Sequence, residues 1–231
     1  MVAGLLAIGF FWWAGPGRTQ DLQPSEGFFS WVEPPDPYHA TLRAALVGEH
    51  RYRMCQMVVL PSFEREWVVY VVRDEHSPDR VVFKRFKKPL WSEMMRLISD
   101  DGRKKSYSVG APAQQMALAQ VKVDLDRSTA SIGNHTVDLL QEVWWRLLGR
   151  TRYPVEPEIG MDGTSYLVAS WKTGVGFRSG ETWSPEEGSL SRGMVSLAEQ
   201  LAEYGQAPSV QKEAALASNA RAMLARLDKQ Q

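Results

Sequence analysis

The chain has 231 residues, 44% of them apolar and 23% charged, and its 27 basic and 27 acidic side chains cancel. That composition suits a folded domain with a sizeable core, and it supplies no net field to draw the protein onto nucleic acid or an anionic surface. The single cysteine, Cys55, excludes an intramolecular disulfide and a multi-cysteine metal site.

The first element is a run without charge, VAGLLAIGFFWWA, from Val2 to Ala14. It is shorter than the ~20 residues a membrane-spanning helix needs, so it suits the core of a signal peptide. No basic residue precedes it, and Gly15 and Gly17 are the small residues nearest a cleavage point. If retained, residues 2–14 act as a short membrane tether; a buried N-terminal helix is the competing reading. Pro24, Gly27 and the EPPDP stretch from Glu33 make residues 18–37 an extended linker. Asp36-Pro37 then predicts a helix start, with Asp as cap and Pro at the first helical position, leading to about Val47.

MCQMVVL, EREWVVYVV and DRVVFKRFKK are β-rich runs separated by turn-formers, which predicts an antiparallel meander. Cys55 lies in the first and reads as a small buried residue. PLWSEMMRLISDDG follows as a helix with Trp91, Met94, Met95 and Ile98 on one face. A short strand is expected around Tyr107, an Ala-rich helix from Pro112, and a half-exposed strand in VKVDLD, where Val121, Val123 and Leu125 alternate with charges. In NHTVDLLQEVWWRLLG, Asn134 reads as the cap, Val137, Leu140, Trp144 and Leu147 as the buried stripe, and Gly149 as the stop. Asp162-Gly163 predicts a hairpin turn. TSYLVASW and GVGFRSGETW supply two strands, followed by a helix carrying Met194, Leu197, Ala198, Leu201 and Tyr204. A last helix from about Ser209 has a thin seam of Val210, Ala217, Leu224 and Leu227. Strands cluster with single helices between them, so the fold class is α+β with a mainly antiparallel sheet. The expected organisation is a signal-like or anchor segment over 1–17, a Pro-rich linker over 18–37, one domain over 38–207 and a C-terminal helix over 208–231.

Lys172-Thr173-Gly174 and the glycines at 174, 176 and 180 invite chemical readings that context removes. The Gly spacing misses the dinucleotide fingerprint, and an extended segment follows it rather than the helix N-terminus that would hold a phosphate. Ser209-x-x-Lys212 with Lys-Thr-Gly matches the serine β-lactamase elements in the wrong order. Ser184-Pro185-Glu186-Glu187 reads as a capped turn, with Ser184 as cap and Glu187 reaching back. His39, His50, His76 and His135 lack metal-ligand spacing, and neither metal nor cofactor is expected. Lys84, Arg85, Lys87 and Lys88, interleaved with Phe83 and Phe86, read as a solvated strand edge that discourages aggregation.

The succession Asp162-Gly163-x-x-Tyr166, Gly174-x-Gly176 and Thr182-Trp183-Ser184-Pro185, followed by a helix ending near Tyr204, resembles bacterial exported or envelope proteins. No activity is assigned to such proteins, so the resemblance implies a compartment and no residue role. The expectation is a non-catalytic envelope protein, periplasmic or anchored in the inner membrane facing the periplasm, that binds a protein partner and no nucleic acid. An immunity or inhibitor role against a delivered toxin is its most specific form. The candidate partner surface is Tyr166, Trp171, Lys172, Arg178, Glu181 and Trp183 on the hairpin, with Lys84 and Arg85 on the basic strand. The alternatives are a small envelope hydrolase with a dispersed Ser/His/Asp site, and a scaffold component docking through its last helix.

Overall fold

The computed structural model describes residues 21–25, 27–29, 36–48, 53–74, 76–100, 121–153 and 162–230. The expectations for residues 1–20, half of the linker, the strand around Tyr107 and the helix from Pro112 lie outside them. The described part of the linker is no free spacer: Leu22 and Phe28 are buried on opposite faces of the sheet and Gln23 bridges to Glu181. Six strands form one antiparallel sheet: β1 (Arg53–Pro61), β2 (Trp67–Asp74), β3 (Ser77–Phe86), β4 (Leu125–Ser131), β5 (Thr164–Lys172) and β6 (Gly176–Trp183). Their order is β4-β3-β2-β1-β5-β6, so the N-terminal meander grows outward from β1 and the C-terminal hairpin adds on its other side. The described helices are α1 (Pro37–Leu42), which runs into a π-helical turn (Arg43–Val47), α2 (Leu90–Asp100), α3 (Asn134–Leu148), α4 (Leu190–Gln206) and α5 (Val210–Asp228). The fold is thus α+β with an antiparallel sheet, as its alternating strand clusters and helices predict.

Both faces of the sheet are covered. Residues 53–59 of β1 are buried without alternation, as expected of a central strand between two layers. One face presents Met57, Val69, Val71, Val81, Phe83 and Val168 to the buried stripes of α3 and α4, with Leu216, Ala220, Met223 and Leu227 of α5 behind them. The opposite face presents Val58, Val68, Tyr70, Val82 and Leu167 to Leu42 and Leu46 of the α1 segment, Phe28, and Leu90 and Met94 of α2. The predicted stripes of α3 and α4 are all buried. The seam of α5 runs instead through Leu216, Ala217, Ala220, Met223 and Leu227, while Val210 is 81% exposed. That seam packs the helix against α3 and α4.

Several local expectations are corrected by tertiary partners. Asp36 does cap α1, accepting from His39 N at 2.9 Å, with Pro37 following. Asn134, however, lies inside α3, whose cap residue is Gly133. The capping acceptor is Glu213 of α5, whose Oε1 takes Gly133 N–H at 2.9 Å and Thr136 Oγ1 at 3.3 Å. VKVDLD becomes strand only from Leu125, because its pairing partner β3 ends opposite it at Phe86. Asp162-Gly163 is the approach to β5, and the hairpin turn is Thr173–Val175, with positive-φ Gly174 at its centre and positive-φ Gly176 directly after it. Gly163 is needed for closeness: a Cβ there would stand 2.5 Å from the Trp183 ring and from Ser184 Oγ. Ser184, read as the cap of the turn before α4, has its hydroxyl drawn to β5 instead. It adopts φ 37 and its Oγ accepts from Thr164 N at 3.0 Å, whereas Ser189 caps the helix by accepting from Arg192 N at 3.0 Å.

The basic strand also differs from its reading as a solvated edge. β3 is interior, paired with β2 and β4 along its length. Trp91 of α2 is 43% exposed, its ring edge-on to Tyr38 at 5.4 Å. Buried Glu66 fixes both, accepting from Tyr38 Oη at 2.8 Å and from the N–H groups of Leu90 and Trp91 at the N-terminus of α2. A carboxylate at that position complements the positive end of the helix.

Candidate protein-binding surface

The β5–β6 hairpin splits the predicted surface residues by the period-two rule of strands. Cross-strand pairs share a face, so Tyr166 lies with Thr182, Ser170 with Arg178 and Lys172 with Gly176 on the side of α3 and α4. Trp171 with Phe177, Leu167 with Glu181 and Ser165 with Trp183 lie on the other. Tyr166 is buried at 9% exposure, so its ring is part of the core. Trp183 is half-buried beneath Gly163. Glu181 is held through its backbone, exchanging N–H and C=O hydrogen bonds with Gln23 at 2.7 and 2.8 Å on the outer edge of β6. Lys84 and Arg85 are not brought to the hairpin, because β2 and β1 stand between β3 and β5. Arg85 faces Asp126 at 3.9 Å, and Lys84 reaches under the π-helical turn on the opposite face.

Lys172 and Arg178 do converge. Both cations approach the ring of Trp145 on α3, with Arg178 Cζ 4.2 Å and Lys172 Nζ 5.5 Å from its centroid. Gln141 ties this corner down by donating to Trp171 O at 3.0 Å. A cation over an indole gains about 0.5–1 kcal/mol when exposed, and the arrangement holds two flexible cations at a fixed spot. Lys172 is 3.8 Å from Glu142, whose other oxygen accepts from Arg146 Nε at 2.7 Å. Among the described residues Arg178 has no carboxylate within ion-pair distance, and Arg150 is anchored by donating to Gln230 O at 2.8 Å. Beside this platform, the hairpin turn holds Val175 at 60% exposure, and on the opposite face of β6 Phe177 is 39% exposed, edge-on to Phe29 at 6.0 Å. The result is a cationic, aromatic corner with an apolar tip.

Sequence reasoning finds the two hairpin cations but misses Trp145, which brings them together. The available signal is the pair Trp144-Trp145: if Trp144 lies on the buried stripe, its neighbour turns about 100° away toward the helix flank.

Two of the described histidines and the cysteine have fixed surroundings. His39 Nδ1 pairs with Asp36 Oδ2 at 2.6 Å inside the α1 cap, and His135 Nε2 meets Arg221 at 2.7 Å. Cys55 is fully buried, and burial pushes its thiol far above the ordinary range, so it is held as the unreactive thiol. Among the described residues no group of three His, Cys, Asp or Glu is arranged to hold a metal ion, and no helix is long and apolar enough to cross a membrane.

These features define an α+β domain with a six-stranded antiparallel sheet between two helical layers and a cationic corner at one end. No family model, curated protein or solved structure matches the chain.

Proposed function

We propose that this is a non-catalytic binding protein of the bacterial envelope, facing the periplasm, that holds an acidic protein partner at the Trp145–Lys172–Arg178 corner. The supporting observation is Arg178: an exposed guanidinium held over Trp145 at 4.2 Å, with no carboxylate partner among the described residues, near exposed Val175 at the tip of the hairpin. Aromatic and Arg side chains on a rigid support are what interface hot spots are made of, and an acidic partner complements the two cations. The envelope location draws on the uncharged run at residues 2–14, which in this reading also supplies the tether. In the most specific form of the reading the acidic partner is a delivered toxin and this protein is its immunity or inhibitor protein.

Folded wild-type protein and Arg178→Glu are immobilised and exposed to envelope extract. The wild type is expected to retain a protein that the charge reversal loses at least tenfold, in a salt-sensitive way. Equal retention by both, or none by either, refutes the proposed surface. A C-terminal fusion to a reporter that works only after export checks the compartment independently. An inactive reporter on a folded fusion removes the envelope assignment.

A further inference from the structure

On the sheet face beneath α1, hydrogen-bond donors outnumber acceptors. Arg53 is 3% exposed, its guanidinium lies 4.1 Å over the Tyr70 ring, and Nη2 donates to Val47 O. Its Nε and Nη1 are buried without a hydrogen-bond partner. Gln56, also 3% exposed, follows on β1 beyond an irregularity at Cys55, where φ is 50, and its Nε2 is likewise unpartnered. The register shift between Met54 and Met57 is what returns Gln56 to the same face as Arg53. Lys84 enters from β3 and donates to Leu46 O at 3.1 Å and Ala45 O at 3.4 Å. Burial, with the nearby Arg53 and Arg127 cations, lowers Lys84 to about 8.

Capping explains part of this. The carbonyls of residues 45–47 end the π-helical turn, and cations are favoured at that end of a helix. That role uses Arg53 Nη2 and Lys84 Nζ only. Three N–H-bearing atoms, Arg53 Nε, Arg53 Nη1 and Gln56 Nε2, remain unpaired in the interior, each an uncompensated loss of hydration. Among the described residues no carboxylate acts on either cation. A site made of donors and positive charge rejects metal cations and selects a negatively charged acceptor.

We propose that Arg53, Gln56 and Lys84 form a binding site for a small oxyanion, a phosphate or a carboxylate, covered by the π-helical turn. Half-exposed Lys84 stands at the rim, and the turn above the donors is a π-helical irregularity, a feature frequent at functional sites. The bound anion accepts from the free N–H groups of Arg53 and Gln56 while Lys84 turns toward it from the carbonyls of the turn.

The test uses the purified full chain. Melting temperatures are recorded in titrations of sodium phosphate, sodium acetate and sodium chloride at matched ionic strength, and phosphate binding is measured by equilibrium dialysis with the labelled ion. Phosphate, acetate or both are expected to raise the melting temperature by several degrees above chloride with single-site saturation; the arm that responds identifies the anion class. Arg53→Met is expected to lose at least tenfold in affinity. Should it fail to fold, Lys84→Met, at the rim, carries the same expectation. No rise above chloride in the wild type, or unchanged saturation in the folded variants, overturns the proposal.

Discussion

Replacing Glu213 with Ala tests whether α5 is part of the body of the fold through one long-range cap. Glu213 Oε1 accepts from Gly133 N at 2.9 Å and from Thr136 Oγ1 at 3.3 Å, and Oε2 accepts from Tyr204 Oη at 3.1 Å. Loss of an N-terminal cap costs about 1 kcal/mol. Removing a carboxylate from the positive end of α3 adds about 0.3–1 kcal/mol. The buried Thr136 hydroxyl loses a partner, a further cost of about 0.5–1 kcal/mol, whereas Tyr204 still donates to Ser131 O. The sum is about 2 kcal/mol, which for a chain of this size lowers the melting temperature by about 4–8 °C. Glu213→Gln keeps an acceptor and loses only the charge, so its drop is about 1–3 °C. Thermal and urea unfolding followed by circular dichroism at neutral pH reads both. A change below about 0.5 kcal/mol for the Ala variant, or equal losses for Ala and Gln, refutes the assignment of Glu213 as the cap of α3.

Lys84 gives a pH-dependent expectation. Its folded pKa of about 8 lies below the ordinary lysine value of 10.5, so the unfolded chain binds more protons between the two. Stability therefore rises as pH goes from about 8 toward 10.5, and Lys84→Met should flatten that rise in urea midpoints measured across the window; an unchanged slope would contradict it. Tyr204, raised to about 12, acts in the opposite direction, because its protonated form is favoured in the folded state and stability is lost as pH rises from 10 through 12. Ser189→Ala should lower stability by about 1 kcal/mol and Asn134→Ala by only a few tenths, in the same urea assay. The reverse order would restore Asn134 as a cap.

The parts of the fold that follow from periodicity are legible in the sequence. The stripes Val137–Leu140–Trp144–Leu147 and Met194–Leu197–Leu201–Tyr204 predict buried helix faces, and all eight residues are buried. The unalternating MCQMVVL accounts for the centre of the sheet, and Asp36-Pro37 marks a true helix start. What local patterns do not carry is the identity of a distant partner. Asn134 is a good cap by type, yet Glu213 from α5 supplies the acceptor. Ser184 has the residues of a capped turn after it, yet its hydroxyl serves the first strand of the hairpin. Lys84 belongs to a basic run that looks solvated, and only the pairing of β3 on both edges, with α1 laid across it, makes it half-buried. The cationic corner was half visible, through Lys172 and Arg178, because the helix that carries Trp145 meets the hairpin only in three dimensions.

The strand order carries a consequence for how the chain is made. β1 through β4 pair with sequence neighbours, whereas the β1–β5 seam joins Gln56 to Ala169 and Pro61 to Thr164 across more than a hundred intervening residues. Local hairpins close early, and this seam closes late, because distant segments must be brought together before their contacts stabilise anything. During synthesis the meander leaves the ribosome with Val69, Val71, Val81 and Phe83 bare, since α4 and α5, which complete their cover, are the last elements translated. The nascent protein passes through an interval with a sticky sheet face and an open β1 edge, the condition under which chaperone capture or passage across a membrane before folding competes with aggregation.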